Sequence, residues 1–225
     1  MHLPRILSFS IFCLFGASVA CNEDDDDDDT QPPLDSHFAT KVVSFTPGAC
    51  SGYNAAKMPG IVLGAPDGSG ATAGSLDVVS LGFEGEIVLS FEPNAIVDGE
   101  GPDFVVFENA FQISGDSTKT NAEPGEVSVS EDGITFTSFP CATVPPYEGC
   151  AGVSPVLSSK TNGVSPLDPT VSGGDAFDLK TIGVAHARFV RIRDIGATEC
   201  PSDPAQKLAT AGFDLDAVAI IHGDL

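Results

Sequence analysis

"EVSVSEDGITFTSF" (residues 126–139) alternates apolar and polar residues on both sides of an Asp-Gly pair. Val127 and Val129 on one arm meet Ile134 and Phe136 on the other, across Asp132-Gly133. A period of two turns one face of a strand toward a core, and Asp-Gly between two such arms is a strong hairpin signal. In a two-residue turn of that kind both central residues take positive φ, which Gly adopts freely. The expectation is a tight hairpin within an antiparallel sheet.

The flanking sequence repeats the pattern. "GEIVLSFE" (85–92), "DFVVFENAF" (103–111), "GEVSVSE" (125–131), "ITFTSFP" (134–140), "ARFVRIRDI" (187–195) and "FDLDAVAIIH" (213–222) read as strands between Gly, Pro, Asp and Asn clusters. No stretch sustains a 3.6-residue apolar period capped at both ends, and only "DPAQKLATAG" (203–212) reads as a short helix. The chain holds 15 Phe, no Trp, 24 Gly and 17 Pro. Short apolar runs among so many turn formers favour an all-β domain. Strands at this spacing predict an antiparallel β-sandwich or jelly roll.

"ILSFSIFCLFGASVA" (6–20) follows Arg5 and is shorter than the ~20 apolar residues that span a membrane. Residues 1–20 are expected to be a signal peptide. Ser18-Val19-Ala20-Cys21 fits a small-x-small cleavage site and also an imperfect lipobox, with Ser18 where Leu is usual. The acidic, Pro-ended "NEDDDDDDTQPP" (22–33) is a self-repelling spacer. The expectation is therefore a bacterial lipoprotein lipidated at Cys21 and held at the outer membrane or cell surface. Residues 21–36 would be a disordered tether and residues 37–225 one domain. Plain secretion is the other reading.

Setting aside Arg5 and the seven acids of the spacer, 25 acids face nine basic residues. Nucleic acid is not an expected partner of so acidic a surface, because phosphate binding needs basic groups. Of six cysteines, Cys13 lies in the signal peptide and Cys21 at the anchor, leaving Cys50, Cys141, Cys150 and Cys200. An even set in an exported chain implies two disulfides, with three connectivities possible. Cys141–Cys150 would close the loop "CATVPPYEGC", and Cys50–Cys200 would then tie distant segments. A zinc site is disfavoured because no C-x2-C spacing occurs.

"VSVSEDGITFTSF", "ARFVRIRDIG" and "FDLDAVAII" together resemble the strand run of galactose-binding-like jelly rolls, a group that includes discoidin-type domains and many carbohydrate-binding modules. The stretch from about residue 60 to 222 also resembles uncharacterised bacterial cell-surface proteins carrying "DGPGPDFVVFEN"-like text. The resemblance implies a sandwich that often holds a structural Ca²⁺ and often binds sugars.

Ca²⁺ takes six to eight oxygen ligands, gathered from loops. "DGEGPDFVVFENAF" (98–111) offers Asp98, Glu100, Asp103 and Glu108 with Asn109; "GGDAFDL" adds Asp175 and Asp178; "GFDLDAV" adds Asp214 and Asp216. The expected ion site draws on Asp98, Asp103, Glu108, Asp175, Asp214 and Asp216. Spaced by two, Asp214 and Asp216 are expected on one strand face, relieved by Ca²⁺ or by Arg188, Arg191 and Arg193. Pairing with arginines, and plain turn chemistry, are the rival readings.

Enzymatic signals are weak. No G-x-S-x-G, H-E-x-x-H or phosphate-cradling loop occurs, and His186 and His222 sit at strand ends. The expectation is a non-catalytic surface module, Ca²⁺-stabilised, recognising a glycan or another extracellular partner. A hydrolase using a carboxylate pair and a purely structural envelope protein are the alternatives. Tyr147, in the Cys141–Cys150 loop, is the one candidate sugar-stacking contact.

Overall fold

The computed structural model describes residues 33–196, 200 and 211–225. The expected signal peptide, Cys21, nearly all of the acidic spacer and most of the helix candidate at 203–212 lie outside them. Residues 34–36, assigned to the tether by sequence, belong to a 3-10 turn, Leu34–His37, that leads into the domain.

Among the described residues the strands are short and every pairing is antiparallel. In chain order they are β1 (Lys41–Thr46), β2 (Val79–Ser80), β3 (Glu86–Ser90), β4 (Ala95–Val97), β5 (Phe104–Phe107), β6 (Phe111–Gln112), β7 (Thr120–Asn121) and β8 (Gly125–Ser130). They continue with β9 (Thr137–Ser138), β10 (Asp175–Phe177), β11 (His186–Ala187), β12 (Phe189–Asp194), β13 (Asp214–Leu215), β14 (Ala217–Ile220) and β15 (Gly223–Asp224). The architecture is an antiparallel β-sandwich. No helix among the described residues is long and apolar enough to cross a membrane.

One layer is a five-stranded sheet ordered β1-β3-β12-β8-β9. Its register places Ile192 between Ile87 and Val127, and Val190 between Leu89 and Val129. All six are buried, because residues at a period of two share one face. Each contributes roughly 1.5–3 kcal/mol by leaving water. Arg191 and Arg193 of β12 point outward and meet Glu86 (3.9 Å) and Glu126 (3.4 Å), and Arg188, just before the strand, meets Glu131 (3.2 Å). Arg191 also lies over the Phe136 ring, 4.4 Å from its centroid.

The facing layer is the three-stranded sheet β10-β5-β14. Phe104, Val106, Val218 and Ile220 turn toward the main core. Val105, Phe107, Ala217 and Ala219 turn the other way, onto Phe38 and Val156. Burial on both faces explains why "DFVVF" and "AVAII" are continuous apolar runs and not alternating ones.

The Asp-Gly hairpin forms, but not as a two-residue turn. Val129 stands opposite Thr137, one residue beyond the Phe136 partner that a 132–133 turn would give. Only Gly133 takes positive φ there (70°). Side chains close the loop instead: Asp132 Oδ1 accepts from Ile134 N and Thr135 N, and Ser130 Oγ accepts from Gly133 N. The slip exchanges faces, so Ile134 is 84 % exposed and Phe139 is buried in its place.

Two strands read as continuous are interrupted. "DFVVFENAF" breaks after Phe107 and resumes at Phe111, and "FDLDAVAIIH" breaks at Asp216. Acids sit at both breaks. Cys141–Cys150 and Cys50–Cys200 lie at disulfide distance, with Cα separations of 4.6 and 5.9 Å.

Candidate functional site

The acids of the sandwich are sorted by where their strands end. β5 stops at Phe107, so Glu108 turns into the protein beside β13, whose Asp214 pairs in register with Ser80 of β2. Glu123 arrives just before β8, and Asp194 ends β12, the strand next to it. Carboxylate oxygens of Glu108, Glu123 and Asp214 lie within 4.8 Å of one another.

Their protein contacts are few. Glu108 Oε1 accepts from Asp214 N (3.1 Å), and Asp214 accepts from Asn109 Nδ2 (3.1 Å) and from Ser80 Oγ. Glu123 accepts from the backbone of Gly212. Asp194 accepts from Glu84 N (3.0 Å) and Phe213 N (2.9 Å). Glu108 is 1 % exposed, and its Oε2 has no hydrogen-bond partner among the described residues; nor has Asn109 Oδ1.

Burial pushes the Glu108 carboxyl well above the usual range, and the Asp214 and Glu123 charges add to this. Burial and then Asp214 and Asp194 push Glu123 up to about 8. Desolvation also raises Asp214 and Asp194. Each group disfavours ionisation of the next.

The six acids expected at one ion site are not brought together. Glu108 and Asp214 meet, but their third partner is Glu123, which the sequence reading missed. Asp98 and Asp103 lie instead near Asp178. Asp103 is fully buried and its carboxylate is already committed. Oδ1 accepts from Gly99 N (2.8 Å) and His222 Nδ1 (3.0 Å), and Oδ2 accepts from Leu179 N (2.8 Å). Gly99 is required there, since a Cβ would fall 2.4 Å from the His222 ring. His222 is thus the partner of a buried acid and not simply a strand-end residue.

Asp216 does not share a site with Asp214. It accepts from Asp67 N (3.0 Å), and burial, then Asp77, pushes it up to about 8 against the pull of Lys160. None of Arg188, Arg191 and Arg193 reaches either acid, because those arginines pair across their own sheet.

Asp175 holds a loop. It accepts from Gly152 N (2.7 Å) and Val153 N (3.0 Å), and burial pushes it up to about 6. A carboxyl with a folded pKa above its unfolded ~3.9 binds extra protons in the native state. Its stabilisation is complete below pH ~4 and is lost as pH rises through about 6. Asp175→Asn keeps an acceptor but cannot ionise. Urea titrations in EDTA should therefore show wild type losing up to ~1.4 kcal/mol per pH unit relative to the variant between pH 4 and 6. Parallel profiles would disprove the assignment.

Beside Asp175 lies a cleft of ≈ 770 Å³ between the 141–150 loop and β10. Phe139, Phe177, Ala176 and Val153 supply its apolar wall, and Glu148, Asp178 and Thr181 its polar rim. The loop is held by its cysteine pair and by Ala142 N donating to Glu148 O (2.9 Å). Tyr147, the expected stacking residue, is half-buried and does not line the cleft. No family model and no curated protein matches this sequence.

Proposed function

We propose that the chain is an exported, lipid-anchored, non-catalytic surface module that binds a glycan or another extracellular partner in the cleft beside β10. The cleft carries this reading. Its size lies within the ~300–1,000 Å³ of small-ligand sites, and it joins an apolar wall to a few convergent polar groups. The wall suits the apolar face of a sugar ring, and the Glu148 and Asp178 carboxylates suit its hydroxyls. Resemblance to galactose-binding-like modules supports the same class by analogy. The acidic surface disfavours nucleic acid.

Ala176 is exposed within β10, so a long cationic side chain there should obstruct the cleft and spare the fold. On a glycan array, Ala176→Arg should lose at least 10-fold in binding to any ligand that wild type holds. Undiminished binding would remove the cleft from the function. Hydrolysis of a bound glycan, abolished in Glu148→Gln, would replace this reading with the carboxylate-pair hydrolase.

A further inference from the structure

We propose that Glu108, Glu123 and Asp214 bind one Ca²⁺ between the β5 end, the β8 entrance and β13. The proposal stands apart from whatever the cleft binds. An acidic cluster alone would not carry it, since acids gather by chance on so acidic a chain. The decisive observation is Glu108 Oε2, an oxygen of a side chain 1 % exposed, with no partner among the described residues. Leaving such an atom unpaired is costly, and native structures seldom do it without an ion or water. Asn109 Oδ1, on the amide whose Nδ2 donates to Asp214, is a second buried oxygen without a partner.

Charge points the same way. No Lys, Arg or His among the described residues pairs with any of the three carboxylates. Asp194, whose charge also bears on Glu123, is another acid. Three carboxylates within 4.8 Å fit inside the ~5 Å that opposite oxygen ligands span around Ca²⁺. An all-oxygen donor set suits Ca²⁺ and not Zn²⁺, which favours His and Cys. The rival group, Asp98, Asp103 and Asp178, lacks an orphaned oxygen: both Asp103 oxygens are taken, and Asp98 is exposed.

The test is thermal melting of the full chain, stripped with EDTA and titrated with CaCl₂. The Asp24–Asp29 run would bind ions weakly without affecting the domain, so melting, and not bound calcium, is the readout. At 1 mM Ca²⁺ the midpoint should rise by at least ~5 °C. Glu123→Gln should melt in EDTA at or above the wild-type temperature, because a repelling carboxyl is gone, and should lose the calcium shift. Asp98→Asn should keep it. No shift in wild type at 1 mM, or an equal shift in Glu123→Gln, would overturn the site. If Glu123→Gln does not fold, Glu108→Gln is judged by the same criterion.

Discussion

Asp103→Ala should lower stability by on the order of 3–5 kcal/mol, read as a fall in the urea midpoint. The substitution strands three donors at once: Gly99 N, Leu179 N and the His222 ring. Leu179 N belongs to a residue with no exposed surface, where water is poorly placed to replace the carboxylate, and Gly99 N is half-buried. The loss also frees the "DGEGPD" turn from both the Leu179–Ile182 3-10 turn and the segment after β14. Asp103→Asn retains one acceptor but turns an amide N–H toward a donor, so it should fall between wild type and alanine. An alanine variant within ~1 kcal/mol of wild type would mean that other contacts hold this turn.

Phe213→Ala should cost about 3–5 kcal/mol, from lost burial and the cavity left behind. The ring has no exposed surface and fits between two glycine backbones. A Cβ on Gly125 would come 2.5 Å from Phe213 Cδ2, and one on Gly152 would come 3.1 Å from Cε2. Gly125→Ala should therefore destabilise by overpacking, by roughly 1–3 kcal/mol. Combined with Phe213→Leu, it should cost less than the two single changes added together, since both act on one volume. Strict additivity in chemical denaturation would contradict this packing.

The all-β class was legible because alternation in "EVSVSE" and "FVRIRD" and continuous apolar runs in "DFVVF" and "AVAII" are distinct burial signatures. Two cysteine pairs were legible from the even count, but which of the three connectivities forms was not, because it depends on which loops the fold brings together. Hairpin register was not legible: it depends on Ser130 and Asp132 hydroxyl and carboxylate bonds to the turn, which composition does not reveal. The acidic cluster proposed to hold the ion was partly legible. Glu108 and Asp214 stood out beside strands, whereas Glu123 precedes a proline at a strand entrance and reads as turn chemistry. Only the antiparallel pairing of β8 with β12 and of β13 with β2 brings it near them.

The threading of β14 bears on when such a chain can close its fold. β5 is flanked by β10 and β14, and Ala219 in turn bridges back to Phe38. Residues 104–107 therefore wait for residues 217–220 before both of their edges are hydrogen-bonded. A nascent chain that has not yet delivered Ala217–Ile220 leaves this layer open and lacks its closing contacts. Such long-range pairing forms slowly. Closure of this layer is therefore a late event of folding, because it joins segments far apart in the sequence.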